Sequence, residues 1–271
     1  MEAESSERTN SVPAEPSFLD TPQGRRLAYH RTQGALPGVV YIHGLNSDMN
    51  GEKVTSLDSY CRSRGRAFVR FELSGHGRSS GTLRESTVTA WLEDVSAVLE
   101  SLTEGPQILV GSSIGGWLMF LYTLRNPDKV CGLIGIATAA DFTQRVWKGL
   151  NKEKKVEVQR SGIYDMPSEY SSDPIPLSME LFSDGEKYTI LDMPGIEIIK
   201  APTWLIHGDQ DTVVPPDISL QILQKLECPV QLRGIEDGDH RLSRPQDIHI
   251  LQQALTALLN PESHVEEEDE D

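Results

Sequence analysis

Three things are scarce in this chain: cysteine, basic side chains and long hydrophobic runs. The cysteines Cys61, Cys131 and Cys228 are scattered, with no CxxC spacing and no His/Cys cluster. That pattern supplies neither a disulfide framework nor a metal site, and a reducing compartment is the default expectation. Cys61 and Cys131 sit in apolar patterns and read as core residues. Lys and Arg number 25 against 41 Asp and Glu, a net charge of −16. Such a balance argues against a nucleic-acid partner. No apolar stretch is long enough for a membrane-spanning helix or a secretory signal, so no integral membrane association is expected. The acidic start has the wrong sign for a mitochondrial transit peptide, and the sequence as it stands reads as cytoplasmic.

Much of the acidity lies at the ends. Glu262, Glu266, Glu267, Glu268, Asp269, Glu270 and Asp271 form one run, and Glu2, Glu4, Glu7 and Glu15 face a single Arg8 near the start. Setting both aside leaves about −6 for the body, ordinary for a soluble domain. Segments 1–16 and 261–271 lack apolar periodicity and are expected to be disordered. The remaining length can bury a sizeable core.

What is present between the ends is a regular rhythm. Short apolar runs at Leu27–Thr32, Gly38–Ile42, Ala67–Phe71, Gln107–Val110, Gly132–Ala137, Thr203–Ile206 and Val230–Arg233 read as strands. Amphipathic stretches at Val54–Arg64, Val88–Leu102, Ile114–Arg125, Pro216–Leu226 and Gln246–Leu259 read as helices. In Val88–Leu102 the residues Val88, Trp91, Leu92, Val95, Val98, Leu99 and Leu102 recur at helical steps and form one apolar face. Continuous apolar strands alternating with such helices predict an α/β fold, a mostly parallel central sheet covered on both sides.

One string carries chemistry. Ile108-Leu109-Val110 runs into Gly111-Ser112-Ser113-Ile114-Gly115, and an apolar helix follows. A strand, a sharp G-x-S-x-G turn and a helix meeting at a Ser form a nucleophile elbow. The glycines are needed because side chains there would clash with the tight turn. A Ser hydroxyl is a weak nucleophile and needs a base. His240, in Gly238-Asp239-His240, is the candidate. The acid that orients it lies in His207-Gly208-Asp209-Gln210-Asp211, where Asp209 and Asp211 both sit in the turn after a strand. Asp239 is adjacent to His240 and reads as loop structure. His207 reads as a packing or capping residue, and His76 as part of a Gly-rich conformational turn. An oxyanion hole needs the amide after the nucleophile, Ile114, and one from the loop after an earlier strand. The Leu45 amide, following Val39–Ile42 and His43-Gly44, is the second donor.

Between residues 141 and 200 the rhythm breaks. Pro167, Pro174, Pro176 and Pro194 interrupt a segment whose apolar residues include Trp147, Leu150, Ile163, Tyr164, Met166, Leu181 and Phe182. We read residues 17–140 and 201–260 as the core and 141–200 as a cap inserted over the catalytic edge. A cap excludes water and shapes the substrate pocket. Trp147, Ile163, Tyr164 and Phe182 are its expected pocket residues.

These motifs, in this order, resemble the α/β-hydrolase superfamily. Ser47-Asp48-Met49-Asn50-Gly51-Glu52-Lys53, Gly105–Ser113 and Gly238-Asp239-His240-Arg241-Leu242-Ser243-Arg244-Pro245 further resemble the palmitoyl-protein thioesterase and acyl-glucuronide esterase type of α/β-hydrolase-domain protein and its bacterial relatives. The resemblance implies a Ser113–His240–Asp211 triad, because the H-G-x-x-D-x-x-V-P string places the acid at Asp211. It implies hydrolysis of acyl esters or thioesters, S-acylated cysteine among them, through an acyl-enzyme with no cofactor or metal. It also offers a mitochondrial location as the alternative, should a presequence be missing. Glu72-Leu73 stands where the family usually has Asp-Tyr, which predicts a differently shaped loop before His76. Two other readings of the same residues are a general carboxylesterase and a non-catalytic small-molecule receptor on this fold.

Overall fold

A computed structural model of the protein describes residues 15–192 and 194–260. The acidic terminal runs at 1–14 and 261–271 lie outside the described residues. The chain forms β1 (Ser17–Asp20), β2 (Arg26–Thr32), β3 (Ala35–Ile42), α1 (Glu52–Ser63), β4 (Arg66–Phe71), α2 (Val88–Leu102), β5 (Gln107–Ser112), α3 (Ile114–Arg125) and β6 (Val130–Ile136). After these come α4 (Phe142–Gly149), α5 (Lys152–Ser161), β7 (Ile163–Met166), β8 (Ile175–Ser178) and α6 (Met179–Gly185). The chain then returns through β9 (Thr203–Gly208), α7 (Asp217–Lys225), β10 (Val230–Ile235) and α8 (Pro245–Leu259).

The main sheet has eight strands in the order β1-β2-β4-β3-β5-β6-β9-β10. Pairing is parallel from β4 through β10, and β2 runs antiparallel to both β1 and β4. Side chains alternate across a strand, so each central strand feeds two cores. Val39, Tyr41, Ile108, Val110, Ile134 and Ile206 meet Val54, Leu57 and Cys61 of α1 and Leu251 and Leu255 of α8 on one face. Val40, Ile42, Leu109, Leu133 and Leu205 meet Trp91 and Val95 of α2, Leu118 of α3 and Ile222 of α7 on the other. The parallel sheet sandwiched between helices is what the apolar strand runs require.

The periodic elements lie where the sequence puts them, with α2 and α3 matching to the residue. Thr87 caps α2 by accepting from the Ala90 amide, a contact that contributes about 1 kcal/mol. The short edge strand β1 and the hairpin of β7 with β8 were not legible as strands. Cys131 corrects another expectation, since it is exposed rather than in the core. The register slips between Gln107 and Ile108, whose partners are Val130 and Gly132, and leaves Cys131 as the extra residue of an irregularity at the strand's start.

Segment 141–200 packs on the α2/α3 face. Its Val158, Leu177, Leu181, Phe182 and Ile190 join that core. Polar anchors add to this. Asp184 accepts from the Thr89 amide (2.7 Å) and hydroxyl (2.8 Å) at the start of α2. Trp117 donates to the Tyr188 carbonyl at 3.0 Å, and Asp141 accepts from the Ile190 and Leu191 amides.

The elbow depends on the approach of α3 to β3. A Cβ on Gly115 would collide with the Ile42 carbonyl oxygen and lie 2.6 Å from that of His43. Neither backbone can yield without moving a strand. Gly115→Ala is therefore expected to cost about 3 kcal/mol, the upper part of the range for overpacking. Urea denaturation of the variant checks this; a wild-type midpoint would contradict the packing account.

Candidate active site

β5 ends at Ser112, and Ser113 takes φ 54° and ψ −119° before α3 begins at Ile114. A non-glycine residue there carries strain of about 1–3 kcal/mol, held by its surroundings. The Ser113 amide donates to the Ile136 carbonyl, and its carbonyl accepts from the Ala139 and Gly116 amides. These bonds fix the turn from the β6 side and from within α3.

The carboxyl ends of β5, β9 and β10 share one edge of the sheet, and the turns beyond them converge. Gly208, which ends β9, abuts Gly238 so closely that a Cβ could not fit, and the Gln210 amide donates to the Gly238 carbonyl at 2.9 Å. That contact sets the Asp211 turn beside the His240 turn. His240 Nδ1 donates to Asp211 Oδ2 at 2.7 Å, and Ser113 Oγ lies 3.1 Å from His240 Nε2. A carboxylate can only accept, so Nδ1 carries the proton and Nε2 is left to accept from the Ser113 hydroxyl.

Asp211 is buried and fully engaged. Its Oδ1 accepts from the Val213 (2.9 Å) and Val214 (2.8 Å) amides, and its Oδ2 also accepts from His207 Nε2 at 3.1 Å. His207 faces Ser219 Oγ at 2.7 Å through Nδ1. It is thus a packed histidine, as read, but one with a polar task. Burial works to raise the Asp211 carboxyl; the hydrogen bonds from His207 and His240, the charge of His240 and the Val214 amide outweigh it and hold the group well below the usual carboxylate range. Asp209 is exposed and does not join the cluster. Asp239 accepts from the Arg241 and Leu242 amides and shapes the His240 turn.

The loop after β3 brings Gly44 and Leu45 to Ser113. A Cβ on Gly44 would sit 3.1 Å from Ser113 Cβ, so the chain passes as close as glycine allows. Two histidines hold this loop, a feature that sequence reading missed. His43 Nδ1 donates to the Gly44 carbonyl (2.7 Å), while its Nε2 accepts from the Leu73 amide (3.0 Å). Burial, aided by the neighbouring His76, pushes His43 down to about 3, so it is neutral. His76 accepts from the Asn46 amide through Nε2 (3.1 Å) and faces the Ser74 carbonyl through Nδ1 (3.2 Å). Its Gly-rich string is a turn, as expected, and the side chain also clamps the neighbouring loop. Glu72 accounts for the loop's shape. Its carboxylate accepts from the Arg78 amide, and Gly77 (φ 48°) lies so close that no Cβ could fit.

A cleft of about 370 Å³ opens over Ser113. Leu45, Lys53, Tyr170, Ile175, His240 and Arg241 are among the residues lining it. Trp147, Ile163, Tyr164 and Phe182 are not, contrary to expectation. Phe182 is buried in the core with the Trp147 ring 5.2 Å away, and Ile163 and Tyr164 lie on a separate depression with Arg84, Lys154 and Glu157. Phe182, Trp147 and Tyr164 pack into the core on the α2/α3 face. The inserted segment instead reaches the cleft through the loop joining β7 to β8 and the start of β8. No cluster of His, Cys, Asp and Glu that could hold a metal occurs among the described residues.

Residues 37–160 match the family model for the α/β-hydrolase fold. The mitochondrial palmitoyl-protein thioesterase ABHD10 of Mus musculus is 40 % identical over 253 residues, covering 92 % of this chain and 84 % of the relative. Its Homo sapiens counterpart is 37 % identical, over 90 % and 80 % of the two chains. Among solved structures, mouse α/β-hydrolase domain-containing protein 10 superposes with a TM-score of 0.85 at 38 % identity, covering 92 % of this chain and 99 % of that one. A hydrolase from Agrobacterium vitis S4 gives 0.84 at 33 % identity, over 91 % and 99 %. The chain is an α/β hydrolase and belongs, within that superfamily, to the family of the ABHD10 thioesterases.

The depressed Asp211 carboxyl has a consequence for stability. Its folded-state value lies below the unfolded one, so its contribution is fully present above the unfolded value and is lost as pH falls. Wild type should therefore lose stability faster than Asp211→Asn between about pH 5 and pH 2. Urea midpoints across that range check it, and equal slopes would exclude Asp211 as a source of acid sensitivity.

Proposed function

We propose that the protein is a serine thioesterase and esterase that removes acyl groups, with S-acylated cysteine as a substrate, through an acyl-enzyme on Ser113. The observation that carries this reading is His240 bridging the strained Ser113 hydroxyl and the buried Asp211 carboxylate. His240 takes the Ser113 proton as Oγ attacks the acyl carbonyl, then returns it to the leaving thiol or alcohol. Asp211 holds the imidazole in the required tautomer and stabilises the imidazolium. The Ile114 and Leu45 amides receive the oxyanion, and His43 and His76 keep the second of these in place. Water then releases the acyl group by the same relay. The names of the ABHD10 relatives support the thioesterase substrate class, and they support a mitochondrial location over the cytoplasmic expectation.

Segment 141–200 serves as the cap, and the acyl chain lies against Leu45, Tyr170 and Ile175. Each buried methylene should add about 0.8 kcal/mol of binding. A chain-length series of p-nitrophenyl esters should show kcat/KM rising from C4 upward in wild type and a flatter series in Ile175→Ser. An identical series in both would move the acyl site elsewhere.

Fluorophosphonate labelling read by intact mass tests the nucleophile. Ser113→Ala should abolish the label and lower hydrolysis about 10⁴-fold or more, with the fold retained. Ser112→Ala should keep both. A label surviving in Ser113→Ala would refute the assignment.

A further inference from the structure

The two strings that frame the family resemblance at either end of the core, Ser47–Lys53 and Gly238–Pro245, touch through one hydrogen bond. Lys53, in the first turn of α1, donates from Nζ to the carbonyl oxygen of Arg241, the residue after His240. The two residues are 188 apart in sequence.

The turn needs such a post. Leu242 has φ 44°, a left-handed conformation that is a genuine outlier for a bulky side chain, and it is fully buried. Asp237 is likewise left-handed at φ 53°. Most of the anchors holding these residues belong to the same stretch of chain. Asp239 accepts from the Arg241 and Leu242 amides, and Arg244 donates to the Asp237 and Glu236 carbonyls. Gln210 reaches Gly238 from the β9 side. Lys53 reaches Arg241 from α1, and both residues line the Ser113 cleft.

Lys53 is itself rigidly based. Arg70 donates to the Met49 carbonyl (2.6 Å) and to Asp58 Oδ2 (3.0 Å), tying the loop before α1 to the sheet. Val54, Leu57 and Cys61 seat α1 in the core. Lys53 makes no ion pair within 4.0 Å among the described residues. Asp239 and Asp247 favour its charged form at longer range and Arg241 disfavours it, while Glu52 and Asp48 lie exposed on the cleft rim. A half-buried ammonium that donates to the carbonyl beside the general base is poorly explained as a surface charge.

We propose that Lys53 is a positioning residue: its bond to the Arg241 carbonyl holds the strained His240 turn so that Nε2 stays in line with Ser113 Oγ. The inference rests on the serine-hydrolase reading of that pair. A charge-assisted bond is the stronger one, so the clamp weakens when the amine loses its proton. Burial pushes Lys53 down to about 8, which brings that loss into the accessible pH range.

The test uses the full chain with Lys53→Met and Lys53→Arg. Lys53→Met should lower kcat for p-nitrophenyl acetate by about 10²-fold, the cost of a small misplacement of a catalytic group, with KM within about threefold of wild type. Lys53→Arg should restore kcat to within about tenfold and carry the alkaline fall in kcat to higher pH, since a guanidinium stays charged. Hydrogen exchange at the Arg241 and Leu242 amides should quicken in Lys53→Met and not in Lys53→Arg, a readout that does not depend on catalysis. Unchanged exchange together with wild-type kcat in Lys53→Met would overturn the proposal. So would a rise in KM at constant kcat, which would make Lys53 a substrate contact, or a loss of kcat that merely follows the unfolded fraction in a thermal melt. Failure of the parent reading is told apart by wild type itself, which would then neither hydrolyse ester nor take the fluorophosphonate label.

Discussion

The close passage of α3 against the carbonyls ending β3 is the constraint on which the rest of the site depends. Helix and strand backbones meet at Gly115 with no room for a side chain. That contact fixes where α3 starts, and therefore where Ser113 must turn to reach it from β5. Ser113 has φ 54° because the chain has a single residue in which to leave the strand and enter the helix. The same contact brings the loop after β3 beside the hydroxyl, since Ile42 and His43 lead directly into Gly44 and Leu45. One packing requirement thus positions the hydroxyl and the neighbouring loop amides together, and the two large cores on either side of the sheet resist its relaxation.

Around this fixed centre, much of the remaining machinery is made of neutral or compensated polar groups with one permitted hydrogen-bonding state. His43 and His76 each face a carbonyl with one ring nitrogen and an amide with the other, which settles their tautomers. His207 is settled in the same way, with the Asp211 carboxylate and the Val214 carbonyl on Nε2 and the Ser219 hydroxyl on Nδ1. Asp211 is left ionised, with its acceptor positions taken by donors that do not move far. A carboxylate so held accepts from His240 Nδ1, and in the proposed mechanism the one proton that moves is that between Ser113 and His240.

How much of this was legible follows from the range of the interactions involved. The central strands, α2 and α3 could be read because apolar periodicity is local and strong there, and the elbow could be read because its glycines are demanded within five residues. Ser113, Asp211 and His240 lie on turns beyond strand ends, so their convergence followed from a parallel sheet. The histidine contacts were not legible: His207 meets Asp211 only because β9 turns sharply, and His76 meets Asn46 across 30 residues. The inserted segment misled for a different reason. Its apolar residues are visible in the sequence, but periodicity cannot say whether they face a ligand or the protein's own core. Phe182, Leu181 and Leu177 are buried in the core on the α2/α3 face, and polar anchors such as Asp184 on Thr89 set the segment's seat.

That seat bears on how the cleft is shaped. A segment packed into the main core, and tied to α2 through Asp184 and to its own return through Asp141, does not move as one lid without breaking buried hydrogen bonds. Leaving such groups unpaired costs about 1–3 kcal/mol each. The part free of this core is the connection at 167–174, whose Tyr170 and Ser171 are exposed along the cleft. Tyr170 carries the Arg241 guanidinium over its ring at 4.7 Å, and Glu169 accepts from the Thr212 hydroxyl, so this short connection touches both the His240 and the Asp211 turns. Adjustment of the cleft to different acyl donors is then expected to be local to residues 167–174, with the remainder of the segment acting as a fixed wall.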